Sequence, residues 1–292
     1  MSARLFKDHE PEDNSGVLSV NHRGYSAIAP ENTLPAYRLS KEMGFRFVET
    51  DVSFTSDGVP VLLHDASIDR TSDGTGKIAE MTFEQVRQYD FGSWKSEEYA
   101  GTRIPTLEEF LDLCKSLDLY PYIELKKNGS YTREQVESIV DLVDKHGMKE
   151  HTSYISFSAK FLKYVRDHDP TARLGYLRSK ASLEDLDVCA GLKTPLNQVF
   201  YDVKYATVTH EICHSFRKAS IPVEVWTVNQ VQSILNMHPY ISGITSDSQI
   251  AGRILMDQRK KENEKEKKKA QKPFEKSKTW KRFIEAIRGS VK

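Results

Sequence analysis

The stretch from Phe47 to Asp65 reads FVETDVSFTSDGVPVLLHD and combines a strand-like segment, a tight turn and a returning segment. Glu49 and Asp51 stand two positions apart, so their carboxylates point to the same face of a pleated strand. Two neighbouring carboxylates repel each other, and a hard divalent cation held by oxygen ligands compensates their charge most simply. Asp57-Gly58 reverses the chain within a few residues, which allows an antiparallel return but not a parallel crossover. We therefore expect His64 to lie near the two acids.

A plainer interpretation of this hairpin is also open. Glu49 and Asp51 could form a solvated strand face, and His64 could be an ordinary surface histidine, because both dipeptide patterns are common. Motifs elsewhere in the sequence distinguish between the two interpretations.

Size and composition indicate a soluble globular enzyme. The 292 residues suffice for one large α/β domain or two small ones, and the formal net charge of zero argues against a nucleic-acid partner. The three cysteines are far apart and form no C-x-x-C pair, which argues against a disulfide framework and against a zinc site. The chain shows neither a secretory signal nor a run of about eighteen apolar residues, so we predict a cytoplasmic protein.

Short apolar segments alternate with amphipathic helical patterns through residues 17–256, after a polar lead-in at 1–16. This alternation predicts a (β/α)8 TIM barrel, whose chemistry gathers at the carboxyl ends of its strands. The strand count is eight if the return from Val59 to His64 belongs to the hairpin. Helix caps are expected at Asn32 or Thr33, at Thr106 and at Ser182.

The sequence adds an insertion and two further candidate site residues to the predicted barrel. Residues 66–104 are too long and too varied for a simple connection, so we predict a small insertion over the barrel mouth. On the predicted strand from Leu119 to Leu125, Glu124 is placed to complete the cation site, and Lys126 follows at strand spacing, where it could meet an anion.

Residues 257–292 form a basic tail with about eight more basic than acidic residues. Within it, residues 277–288 predict a short amphipathic helix, because Trp280, Phe283, Ile284 and Ile287 recur at helical spacing. Three alternatives stay open for this helix: docking on the barrel or on a subunit partner, attachment to an anionic membrane surface, and disorder. The oligomeric state is not determined by the sequence.

The assembled motifs resemble those of the glycerophosphodiester phosphodiesterase family, of the cytoplasmic bacterial type. The matching pieces extend from residue 17 to about residue 255; they are His22-Arg23-Gly24 with Pro30-Glu31-Asn32-Thr33, Glu49-x-Asp51, the hairpin ending in His64-Asp65, Asp69-Arg70-Thr71, Ile104-Pro105-Thr106-Leu107, Glu124-Leu125-Lys126, Trp226-Thr227-Val228-Asn229 and Gly243-Ile244. The chain departs from the common pattern in its closing Thr245-Ser246-Asp247 and in its basic tail.

The resemblance implies metal-dependent hydrolysis of glycerophosphodiesters to sn-glycerol 3-phosphate and an alcohol on a TIM barrel. It implies one divalent cation, Mg or Ca, held by Glu49, Asp51 and Glu124, with His22 and His64 as the acid/base pair. Arg23 and Lys126 would contact the phosphate, and Trp226 would be an aromatic at the mouth or else a core tryptophan. Whether water or a substrate hydroxyl is the nucleophile, and which histidine is the base, stay open.

Two other functions are weighed against this one. The first is a lysophospholipase D that acts on lysophospholipids at a membrane surface, which the basic tail would suit. The second is a catalytically silent barrel that serves as a binding module, although all the site positions carry chemically competent residues.

Overall fold

Eight parallel strands close into a barrel in the computed structural model, which describes residues 17–126, 131–230, 232–233 and 240–248 together with Lys261 and Lys265. Parallel pairing runs from each barrel strand to the next, and the last strand pairs with the first. In chain order the strands are β1 (Leu18–Asn21), β2 (Phe47–Phe54), β3 (Pro60–Leu62), β4 (Tyr120–Leu125), β5 (Ser153–Ser156), β6 (Arg173–Arg178), β7 (Val199–Lys204), β8 (Val223–Trp226) and β9 (Ile241–Ser246). The predicted TIM barrel is confirmed.

The strand β3 lies outside the barrel ring. It pairs antiparallel with β2 through Val52 and Leu62, so the return toward His64 belongs to the hairpin, as predicted. The turn forms because Gly58 adopts a left-handed φ of 83°, and the Thr55 hydroxyl donates to the Asp57 carboxylate at 2.6 Å.

Seven α-helices are described, each packed beside the strands or within the insertion. They are α1 (Leu34–Glu42), α2 (Phe83–Val86), α3 (Leu107–Leu117), α4 (Arg133–Lys145), α5 (Ala159–His168), α6 (Asp185–Leu192) and α7 (His210–Lys218). Short 3-10 turns cover Ile78–Glu80, Glu97–Tyr99, Lys149–His151 and Tyr205–Thr207.

The predicted helix caps have mixed outcomes. Thr106 caps α3 in a reciprocal capping box with Glu109, as predicted. Thr33 is the N-cap residue of α1, but its hydroxyl donates to the Pro30 carbonyl instead of accepting from the helix. The predicted cap at Ser182 is wrong, because α6 begins later, with Glu184 at its N-cap position.

Side chains alternate between two apolar regions along each barrel strand. One region fills the space between strands and helices, and the other fills the barrel interior with Val20, Phe47, Tyr122, Ile155 and Phe200 among its members. Since Phe47 points into the barrel, Glu49 and Asp51 on the same strand face do so too.

The segment 66–104 contains α2 and two 3-10 turns around a separate apolar cluster that includes Ile68, Ile78, Val86 and Phe91. The ammonium of Lys95 donates to the Ser26 carbonyl at 2.7 Å and so ties this segment to the loop after β1. Its status as a unit of its own stays a prediction.

Several predictions fall outside the described residues: the lead-in at 1–16, the amphipathic helix at about 277–288, and nearly all of the rest of the basic tail at 257–292. Across the part of the chain that the structure describes, no helix combines the length and the apolar character that a membrane span needs.

Candidate active site

Three buried carboxylates meet where the middle of β2 runs beside the carboxyl end of β4. Asp51 and Glu124 face each other across the parallel register, Glu49 lies one strand repeat earlier, and one oxygen from each lies within 4.8 Å of the other two. Burial, together with the charges of the other two acids, raises the pKa of Glu49 well above its usual value. Burial and the charge of Asp51 raise the pKa of Glu124 to about 7. Without added positive charge, the cluster therefore does not ionise fully at neutral pH.

The pKa of Asp51 is shifted in the opposite direction because two positively charged side chains face it. Burial works to raise its pKa, but Lys126 and Arg23 outweigh this effect and hold the pKa well below its usual value. The ammonium of Lys126 donates to Asp51 Oδ1 at 3.2 Å, and Nε of Arg23 lies 3.2 Å from Asp51 Oδ2. Asp51 is thus the anionic centre of the cluster.

The cluster fits a divalent cation. Within the described ranges, no group donates a hydrogen bond to the buried Oε1 of Glu124, although Lys126 Nζ lies 3.1 Å away. An all-carboxylate donor set suits hard cations such as Mg²⁺ and Ca²⁺. A dication would also supply the positive charge that allows all three acids to ionise.

Arg23 is held in one orientation by three carboxylates. Its backbone, at a left-handed φ of 56°, donates from N–H to Glu49 Oε2 at 2.9 Å. Its Nη1 donates to Glu31 Oε1 at 2.7 Å, in addition to the contact of its Nε with Asp51. The guanidinium is therefore fixed beside the acidic cluster.

Both predicted histidines pair with an aspartate through the same ring nitrogen. His22 Nδ1 is hydrogen-bonded to Asp247 at 2.6 Å, and His64 Nδ1 is hydrogen-bonded to Asp65 at 2.6 Å. An aspartate at Nδ1 fixes the proton there, which leaves Nε2 of each ring for proton transfer. Burial lowers the pKa of His64 below its ordinary value.

Arg70 from the inserted segment joins these groups. Its Nε donates to Asp65 at 2.6 Å, and its two Nη atoms donate to the two oxygens of Glu31, each at 2.8 Å. Because Glu31 also accepts from Arg23, an unbroken chain of charged hydrogen bonds links Arg23 to His64.

A cavity of about 210 Å³ opens over the cluster. Every predicted site residue except Asp51 lines it: His22, Arg23, Glu49, His64, Glu124, Lys126 and Trp226. The other wall is largely apolar, with Ile155, Phe157, Leu177 and Trp226. Trp226 packs edge-on against Phe157 at 5.6 Å, and its indole N–H donates to the Asp202 carbonyl at 3.3 Å. Whether Trp226 contacts substrate stays a prediction.

Four residues at the site were missed or misassigned by the sequence reasoning: Asn32, Asp65, Arg70 and Asp247. Asn32, expected as a helix cap, donates from Nδ2 to Asp51 at 2.8 Å instead. Asp65 and Arg70 belong to motifs quoted above, so motif membership was the available signal. Asp247 lies in the closing segment that departs from the family pattern, 225 positions from its partner His22.

The sequence pattern of the Glycerophosphoryl diester phosphodiesterase family matches residues 22–248. The chain belongs to this family. That match spans the barrel from its first histidine to Ser248, just after Asp247, and confirms the predicted family and enzyme class.

Individual relatives agree with this assignment. The glycerophosphodiester phosphodiesterase of Caldanaerobacter subterraneus subsp. tengcongensis is 28% identical over 232 residues, which are 79% of this chain and 94% of that enzyme. The glycerophosphodiester phosphodiesterase of Bacillus subtilis is 32% identical over 190 residues, 58% of this chain and 63% of that enzyme. An Oleispira antarctica phosphodiesterase, solved in complex with the product sn-glycerol-3-phosphate, is 26% identical with a TM-score of 0.77 and covers 82% of this chain and 96% of its own.

Proposed function

We propose that this cavity hydrolyses glycerophosphodiesters to sn-glycerol 3-phosphate and an alcohol with the help of one divalent cation, Mg or Ca. Family membership gives the reaction class. The single observation that carries the site assignment is that one cavity is lined by two acids of the buried three-carboxylate cluster, two aspartate-held histidines, an arginine and a lysine. The product bound in the Oleispira antarctica relative supports the same product here.

Glu49, Asp51 and Glu124 would hold the cation, which would supply positive charge to the phosphoryl oxygens in the transition state. Arg23 and Lys126 add fixed positive charge beside it. Both stay in place because they bridge to Asp51, so little reorganisation is needed when the substrate's negative charge arrives. Nη1 of Arg23 donates to Glu31, and no described residue accepts a hydrogen bond from its buried Nε, so the guanidinium keeps a donor for the phosphate.

The two histidines would divide the proton transfers. The nucleophile has to lose a proton and the leaving alkoxide has to gain one, so the reaction needs one base and one acid. Because burial lowers the pKa of His64, its neutral form prevails near pH 7, which favours His64 as the initial base. His22, paired with Asp247, would then protonate the leaving oxygen. The same division serves for attack by water or by a glycerol hydroxyl.

The direct test measures sn-glycerol 3-phosphate released from glycerophosphocholine and glycerophosphoethanolamine, with and without chelator, and after Mg²⁺ or Ca²⁺ is restored. We expect release that chelator abolishes and a cation recovers. Release from lysophospholipids alone would favour the lysophospholipase D, and no release from any of these substrates would favour the silent binding module.

Variants test the residue assignments. Glu49→Ala and His22→Ala should abolish turnover while the protein stays folded, and normal turnover by either would contradict the site. His146→Ala is the matched control, because His146 forms a similar pair with Asp112 at 2.7 Å, outside the cavity lining.

A further inference from the structure

A further buried acid, Asp202 on β7, lines the cavity away from the carboxylate cluster. Its strand is four places from β2 in the ring of eight, so it stands across the barrel from Glu49 and Asp51. Phe200, two positions earlier, belongs to the barrel interior, and Asp202 on the same strand face therefore points into the barrel as well.

The carboxyl of Asp202 has an unfilled hydrogen-bonding position. Asp202 is only 2% exposed, and among the residues that the structure describes none hydrogen-bonds to its Oδ1. The nearby cation Arg173 donates to Glu224, to the Tyr122 hydroxyl at 2.7 Å and to Ser153 at 2.8 Å. A buried polar atom without a partner destabilises a fold, which suggests that a ligand completes the site.

The protonation state of the Asp202 carboxyl limits which ligand groups it can bind. Burial raises the pKa of Asp202 well above its usual value, and the neighbouring charge of Glu224 adds to the effect. A protonated carboxyl is both a donor and an acceptor, so it matches an alcohol hydroxyl, which is also both. A cationic headgroup would instead require the ionised acid.

We infer that Asp202 binds a free hydroxyl of the substrate's glycerol moiety and thereby selects glycerophosphodiesters whose glycerol is not acylated. This inference rests on the proposed function, which places the phosphate at the cluster on the β2 side. From there, the glycerol moiety can reach across the cavity of about 210 Å³ toward β7. The apolar wall of Phe157, Leu177 and Trp226 would contact its carbon chain.

The test compares two competitive inhibitors, sn-glycerol 3-phosphate and propyl phosphate, which share the phosphate and the three-carbon chain but differ in the hydroxyls. The wild type should bind sn-glycerol 3-phosphate more tightly, by about 10- to 100-fold, as expected when a buried hydrogen-bonding group loses its partner. Asp202→Leu should bring this ratio close to one, and Asp202→Asn should keep most of it, because an amide both donates and accepts.

Leu177→Val, on the apolar wall that both inhibitors would contact through their carbon chain, should weaken both inhibitors alike and so leave the ratio unchanged. A ratio in Asp202→Leu equal to the wild-type value would overturn the inference. A fall in the turnover of glycerophosphocholine and glycerophosphoethanolamine by Asp202→Leu, without a change in inhibitor binding, would also overturn it. Such a result would place Asp202 at the headgroup. Inhibition by inorganic phosphate, unchanged in all variants, verifies that the cation side is intact.

Failure of the proposed function can be distinguished from failure of the inference about Asp202. If the wild type turned over no glycerophosphodiester, calorimetric binding of the same two inhibitors would still test Asp202. Thermal unfolding adds an independent measurement: Asp202→Leu should unfold at the same temperature as the wild type or higher, since it removes an unpaired buried acid. A clear fall would assign Asp202 a structural role instead.

Discussion

The carboxylate of Asp51 is oriented by a side-chain amide. Asn32 Nδ2 donates to Asp51 Oδ2 at 2.8 Å, while Asn32 Oδ1 accepts from the hydroxyls of Tyr37 and Thr50, both at 3.1 Å. All four groups are buried. Since the two hydroxyls fix the direction of the amide, the amide fixes the direction in which Asp51 would present its oxygens to the proposed cation.

Asn32→Leu keeps the branched shape and the number of side-chain heavy atoms but removes the donor to Asp51, so it should weaken cation binding. We expect the cation concentration for half-maximal activity to rise by about 10- to 100-fold, the usual effect of losing a group that orients a metal ligand. A titration of chelated enzyme with Mg²⁺ or Ca²⁺ measures this concentration.

Asn197→Leu is the control, because Asn197 also uses both ends of its amide, but on Thr194 and Leu192 away from the site. It should leave the cation requirement unchanged. An equal requirement in Asn32→Leu and wild type would mean that Asn32 does not orient the ligand.

Local spacing made part of this site predictable. Glu49 and Asp51 are two positions apart on one strand, and that spacing alone puts them on one face. The amide of Asn32 lies next to a helix start, so the sequence favoured a cap. Its actual partner, Asp51, lies on β2, and only the folded barrel brings β2 beside the loop after β1.

At the scale of elements, the inserted segment supplies a connection between two parts of the site. Arg70 bridges Glu31, in the loop after β1, to Asp65, which follows the hairpin. Glu31 positions Arg23, and Asp65 positions His64. The insertion thus sets the relative position of Arg23 and His64, the proposed phosphate-binding and acid/base residues.

Arg70→Gln should reduce kcat by about 10-fold or more, since small displacements of catalytic groups are costly, and should raise KM as well. Arg70→Lys should recover only part of the loss, because an ammonium cannot engage Glu31 through two nitrogens while it reaches Asp65. Steady-state kinetics on glycerophosphocholine separates kcat from KM.

Lys77→Gln provides the control, because Lys77 lies in the same insertion and its ion pair with Glu80 is exposed. It should behave as wild type. Full activity in Arg70→Gln would show that His64 and Arg23 hold their positions without the bridge.

The sequence predicted the strands and helices more completely than it predicted the contacts between them. Strands, helices and the Thr106 cap depend on neighbouring residues, so local patterns predict them. The pairing of His22 with Asp247 joins the two ends of the barrel, and it follows from the closure of β9 on β1. No local pattern carries that information.

At the scale of the whole molecule, charge is divided between an acidic body and the basic tail at 257–292. If the tail contacts membranes, deletion of residues 259–292 should abolish sedimentation with anionic vesicles and leave turnover of glycerophosphocholine unchanged. Neutral vesicles are the control. Unchanged sedimentation of the truncated chain would exclude the tail as the membrane contact.

The buried acidic cluster should also govern how global stability depends on pH and on the cation. The folded-state pKa values of Glu49 and Glu124 are raised above their usual 4.5, to about 7 for Glu124. A raised carboxyl pKa contributes stability that is fully present below the unfolded pKa and is lost as pH rises through the folded pKa. The chelated enzyme should accordingly lose thermal stability from about pH 5 upward through neutral pH.

Saturating Mg²⁺ or Ca²⁺ should restore this stability at pH 8, because the bound cation favours the ionised acids and binds only the folded chain. Glu49→Gln removes one buried ionisation, so its chelated form should show a flatter pH dependence and a smaller gain from the cation. Unfolding temperatures measured across this pH range, with chelator and with cation, test both effects. Glu108→Gln, at an exposed acid that stays ionised throughout, should match the wild type. If chelated Glu49→Gln kept the wild-type slope, the cluster would not be the source of the pH dependence.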